Sequence, residues 1–122
     1  MVKLFRVMNV PEEISPDARV RRVVTEKTGA EKLGVLIVEK PPGHGPSRYH
    51  YHEARESVYV VLEGRAEAKI DGKVYTLEPG MVALISPGER HMVTAVGDEG
   101  FKMVEVYSPL DPDFVDATDE ES

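Results

Sequence analysis

The 122-residue chain contains no cysteine and no glutamine, and its one asparagine is Asn9. Without cysteine there is neither a disulfide nor a thiolate metal site, so any bound metal takes nitrogen and oxygen ligands. No apolar run approaches the length that spans a bilayer, which argues against a membrane partner. The opening stretch, MVKLFRVMNVPEEI, has neither the sustained apolar core nor the small-residue cleavage site of a secretion signal, and the protein reads as cytoplasmic. No basic stripe is present, which argues against nucleic acid as a partner. No stretch keeps a helical period; a turn of helix over residues 11–19 is the most the pattern allows. Few thermolabile residues beside 30% charged ones resemble the make-up of a thermophile's protein.

What is present is a soluble globular composition, 41% hydrophobic, on a chain of a length that suits one domain with a real core. The net charge of -7 is unevenly spread. Six of the 22 acidic residues (Asp111, Asp113, Asp116, Asp119, Glu120 and Glu121) fall in the last twelve positions, leaving 16 against all 15 bases elsewhere. The expected layout is an N-terminal arm with strands over 1–32, a barrel over 33–110, and a flexible acidic tail over 111–122.

Short runs rich in Val, Ile and Tyr recur, each bounded by Gly, Pro or Asp. They predict strands over 4–8, 21–25, 33–39, 49–52, 57–63, 66–70, 73–77, 81–85, 91–96 and 101–107. Turns are expected at Glu63-Gly64, Asp71-Gly72, Pro79-Gly80, Pro87-Gly88 and GDEG (97–100). Asp71-Gly72 is the strongest of these, a two-residue hairpin between alternating strands. Many short strands at close spacing mean an all-β sandwich or barrel. In SVYVVLE, Val58, Val60 and Leu62 share one face, and Ser57, Tyr59 and Val61 the other. Both faces are apolar at the middle, so the outer one needs a cover, either an N-terminal arm or a second subunit.

The chemistry concentrates in HYHEARESVYVVLEG. His50 and His52 lie two apart and so share a strand face, with Tyr51 opposite. Downstream, SPGERH places His91 just after a Pro-Gly turn. Three neutral imidazoles suit Zn, Fe, Mn, Ni or Cu better than Mg or Ca. Arg48 shares the histidines' parity and suits a carboxylate or phosphate. Tyr59 can line a cavity, and His44 sits in the loop PPGHGPS.

Two segments resemble the paired motifs of the cupin superfamily: GPSRYHYHEARESVYVVLEG (45–64) and GMVALISPGERHMVTA (80–95). The resemblance covers about 33–107. It implies a single-domain cupin β-barrel of jelly-roll type holding a divalent transition metal. The family's metal glutamate falls on Ser57 when counted back from Gly64, while Glu56 meets a looser spacing. A regular strand turns Ser57 inward and Glu56 outward; a bulge reverses this. The ligand set is therefore His50, His52, Glu56 and His91, or the three histidines alone. The second motif carries Ser86 in place of its proline and Ala95 in place of its asparagine.

Beside a scaffold whose site has decayed, which Ser57 and Ala95 allow, the resemblance leaves two functional classes open. One is a metal-dependent enzyme acting on a small molecule, of dioxygenase, isomerase or decarboxylase type. The other is a non-catalytic module that binds a metal or small ligand. A homodimer is expected, with the 4–8 strand crossing between subunits to cover the apolar face of Val58, Val60 and Leu62.

Overall fold

A computed structural model describes residues 2–117. They fold as an all-β barrel of nine strands: β1 (Glu12–Ile14), β2 (Arg19–Val24), β3 (Gly34–Lys40), β4 (His50–Tyr51), β5 (Glu56–Ile70), β6 (Lys73–Leu77), β7 (Val82–Ile85), β8 (His91–Ser108) and β9 (Val115–Asp116). The only helical pieces among the described residues are 3-10 turns at Val7–Asn9 and Glu26–Thr28. None is long and apolar enough to cross a membrane.

Two long strands organise the rest. β5 and β8 pair antiparallel along most of their lengths, and their two halves have different outer neighbours. The first half of β5 pairs with β7, and the second half of β8 with β3. Past the bend, β5 pairs with β6, and the start of β8 with β4. The ribbon is thus the centre of two walls, β1-β2-β3-β8-β5-β7 and β9-β4-β8-β5-β6. The core between them includes Val61, Ala66, Ile85, Phe101 and Met103. Alternation decides which residues reach it. Ser57, Tyr59 and Val61 are buried, whereas Val58 and Val60 are half-buried and Leu62 is exposed.

The turns expected at Glu63-Gly64 and at 97–100 are absent, because both strands run straight through these positions. Gly64 and Gly100 adopt φ of 74° and 81°, a region that favours glycine. The ladder slips register beside Gly64, so the glycines bend continuous strands from one wall to the other. A Cβ on Gly64 would lie 1.9 Å from the Gly100 carbonyl oxygen. Asp71-Gly72 does form a tight hairpin, with φ of 47° and 83° joining β5 to β6.

The N-terminal expectation needs correction. Residues 4–8 form no strand, and the segment 11–19 holds β1 rather than a turn of helix. β1 occupies the edge of β2 and itself ends the sheet on that side. Charge selects this polar strand: Glu12 faces Arg21 at 3.6 Å and Glu13 faces Arg22 at 2.9 Å. The arm is tied down instead by Lys3 Nζ on the Thr28 carbonyl and by Arg21 Nη1 on that of Val10.

The acidic tail also differs from a free, solvated end. Its residues Val115 and Asp116 form β9, which pairs with β4 through Tyr51 and His50. Asp119, Glu120 and Glu121 lie outside the described residues.

Candidate metal centre

His50 and His91 are direct cross-strand partners between β4 and β8. His52 follows β4 on the same face, two residues beyond His50. The Gly88 amide, in the turn before His91, donates to the His52 carbonyl at 2.7 Å and ties the two ligand-bearing segments together. Candidate ligand atoms of the three imidazoles lie within 4.8 Å of one another. His52 and His91 are buried and His50 is half-buried.

Backbone carbonyls set the tautomers. His50 Nδ1 contacts the Arg48 carbonyl at 2.8 Å, and His91 Nδ1 that of Glu89 at 2.9 Å. His52 Nδ1 contacts the carbonyl of Asp113. A carbonyl oxygen only accepts, so each Nδ1 carries the proton and each Nε2 keeps a free lone pair. Burial lowers the pKa of all three rings. For His50, with His91 adding repulsion, it falls to about 3. The rings are therefore neutral and nucleophilic at Nε2. His91 Nε2 is buried without a hydrogen-bond partner. Convergent neutral imidazoles with an orphaned Nε2 and Nδ1–H locked on carbonyls fit a divalent transition metal.

Glu56 is not brought to this cluster. It is exposed and sits opposite Ser108 in the ladder, whereas Ser57 is 1% exposed. β5 is regular at this point, so parity turns the serine in and the glutamate out. Arg48 is also placed away from the cavity. It ion-pairs with Asp116 at 2.6 Å and covers the Phe114 ring at 4.5 Å. Tyr59 does line the cavity, with its ring 6.3 Å from that of His91. His44 stays in its loop, outside the cluster.

A cavity of about 330 Å³ opens beneath His50 and His91. Its walls are mainly apolar, from Val20, Leu36, Val38, Met103 and Phe114, with a polar corner of Tyr59, Glu105, Arg55 and Arg22. Burial raises the Glu105 carboxyl above its ordinary range, while Arg55, Ser57 and Arg22 pull it back. Ser57 Oγ leans toward this carboxyl but makes no hydrogen bond of good geometry. Burial, and then Glu105, push the Tyr59 phenol well above its ordinary value, so it remains a neutral donor. Lys40 lines the same cavity, its ammonium bound to the Asp17 carbonyl.

Sequence reasoning missed Glu105, Asp113 and Phe114. The first was findable, because Glu105 shares inward parity with Met103 and Tyr107 on a strand. An acid in an apolar inward row is a signal of its own. Phe114 and Asp113 were hidden inside an acidic run that reads as solvated.

A jelly-roll barrel of this size with a three-imidazole centre between its strands is the architecture of a cupin. The chain belongs to the cupin family, the Cupin domain matching residues 36–107. Polyketide synthase CurC of Streptomyces cyaneus is 36% identical over 114 residues, 88% of this chain and 71% of that protein. An L-ectoine synthase of Alkalilimnicola ehrlichii is 30% identical over 113 residues, 89% of this chain and 82% of that one. Among solved structures, the polyketide cyclase RemF from Streptomyces resistomycificus superimposes with a TM-score of 0.83 at 24% identity, covering 97% of this chain and 87% of that one.

Proposed function

We propose that this chain is a metal-dependent enzyme that moves protons on a small carbonyl-bearing molecule, a reaction of the isomerase or cyclase kind. Glu105 carries this reading: a half-buried carboxyl with a raised pKa on the wall of the cavity that His50 and His91 cap. Relatives described as a polyketide synthase and a polyketide cyclase support a carbonyl substrate. His50, His52 and His91 would hold the metal, which when bound supplies a Lewis acid to polarise a carbonyl oxygen. In its ionised form Glu105 takes a proton from the carbon beside the carbonyl, and the C–H electron pair moves toward that oxygen. The protonated acid then returns the proton to the same or another carbon. Tyr59 keeps a neutral O–H donor inside the cavity. Arg55, whose Nε is buried without a partner, offers a cation to an anionic substrate group.

The test is solvent deuterium exchange. Protein reconstituted with Zn, Fe, Mn, Ni or Cu is incubated with β-diketones and β-keto acids in D2O and followed by NMR. Exchange at the carbon between the carbonyls is expected, falling about 10²–10⁴-fold in Glu105→Gln with metal content unchanged. Absence of exchange and of product with every metal would overturn the enzyme reading in favour of a non-catalytic metal or ligand module.

The same reading includes a homodimer. Val82, Leu84 and Leu62 are exposed on the outer face of the β5–β7 pair, next to Val58 and Val60. Leu4 and Met8 of the arm are exposed as well. A second copy would cover both surfaces at once.

A further inference from the structure

The segment 113–117, which includes β9, makes more contacts with the histidine cluster than an edge strand needs. β4 carries His50 and leads directly into His52, yet it is only two residues long. Its pairing to the barrel is the single register point His50–His91, and β9 supplies the other edge through Asp116 and Val115. The Ala117 amide adds a bond to the Tyr49 carbonyl at 2.9 Å. A strand this short does not hold its own geometry without such neighbours.

Asp113 grips the ligand segment twice. Its backbone carbonyl accepts from His52 Nδ1. Its carboxylate accepts the consecutive amides of Glu53, Ala54 and Arg55 at 2.7, 2.8 and 2.9 Å. Those amides are the link between His52 and β5, so one residue holds both the ring and the backbone that aims it. Phe114 then stacks flat on His50, with centroids 4.2 Å apart and planes 9° apart, and presents its edge to His52 at 6.0 Å. Arg48 covers the ring and is itself pinned by Asp116. Phe114 also lines the cavity while remaining 47% exposed, so it forms part of the wall between the histidines and solvent.

We propose that residues 113–117 are a strap built into the metal centre, in which Asp113 is a positioning residue for His52 and Phe114 controls access to the histidine face of the cavity. This rests on the three histidines holding a metal. A carbonyl that fixes the Nδ1–H tautomer of a ligating histidine keeps its Nε2 lone pair aimed, and loss of such support typically weakens metal binding tenfold or more. An aromatic ring laid on a second ligand shields the metal from outside chelators without touching it.

The experiment uses the full chain and Co(II) as a spectroscopic probe. In Asp113→Ala, Co(II) affinity is expected to fall about 10–100-fold, with altered visible bands. In the metal-free protein, imidazole ¹⁵N–¹H spectra should show His52 changing from the Nδ1–H tautomer to a mixture. Asp113→Asn, which keeps one acceptor oxygen, should fall between the two. It serves as the test should the alanine variant not fold. Phe114→Ala should keep nearly the same Co(II) affinity but lose the ion to EDTA several-fold faster. Unchanged affinity and an unchanged His52 tautomer in both Asp113 variants would overturn the positioning role, and an unchanged EDTA rate would overturn the gate. Failure of the unmodified chain to bind Co(II) would instead refute the metal reading. The His52 spectrum of the metal-free protein would still decide whether Asp113 positions the ring.

Discussion

At the scale of single residues, parity and tautomer decide the site. Ser57 and Glu56 are neighbours, yet one is sealed in and the other faces water. Glu56→Gln should therefore leave metal affinity within about twofold, whereas His50→Ala or His91→Ala should remove most of the bound metal, as read by elemental analysis of untagged protein. Metal retained by the double histidine variant would reject the site. Acid should also act through these rings. All three have folded pKa values below the ordinary 6.5, His50 at about 3. Between those limits the unfolded chain binds protons that the folded chain refuses, so stability rises with pH there. Metal-free protein should lose stability as pH drops below about 6.5, by up to about 1.4 kcal/mol per pH unit for each ring fully charged only when unfolded. Glu105 works in the opposite sense: its raised pKa costs stability as pH climbs past 4.5. Urea titrations of metal-free protein from pH 7 to 5 that show no loss would reject neutral buried rings.

At the scale of elements, the bend in the β5–β8 ribbon is the critical joint. It lets one pair of strands serve both walls and so brings the polar corner at Glu105 into the cavity that His91 caps. Gly64→Ala should cost several kcal/mol or prevent folding, because left-handed strain adds to a backbone clash at 1.9 Å. Gly43→Ala is the matched control. Its φ is 68°, but nothing lies within 4 Å of the new Cβ, so strain alone applies, roughly 1–2 kcal/mol. Equal losses in denaturant titrations of the two variants would show that the close approach at Gly64 carries no cost. The sequence pattern read Gly64 and 97–100 as turns because a glycine flanked by charge looks alike in a hairpin and in a bulge. Only the partner strand distinguishes them.

At the scale of the whole molecule, an apolar outer face and an apolar arm predict a two-fold pair. Val58 pairs with Leu84, and Val60 with Val82, across one sheet face, giving a continuous patch. The arm lacks the strand that would exchange, so burial of side chains rather than strand pairing would hold the copies together. A specific contact should bury more than about 1,000 Å² in total. Light scattering at low micromolar concentration should give about twice 13.6 kDa. Val60→Glu, which places a charge at the centre of the patch, should give monomer or aggregate. A mass of 13.6 kDa for the unmodified chain would reject the pair.

The sequence by itself determined the class of fold, the inward rows and the three histidines. The first two follow from local facts, period-two alternation and Asp-Gly turn chemistry; spacing pairs His50 with His52, and it is the resemblance to the cupin motifs that adds His91. Only tertiary structure decided that Gly64 and Gly100 bend strands rather than end them, since both stand where two backbones meet. Only tertiary structure seated Glu105 in the cavity and laid Asp113 and Phe114 on His52 and His50. Those contacts join residues about 60 apart in the chain. Composition sees an acidic tail, but the three amides that hold Asp113 belong to a loop that composition cannot place beside it.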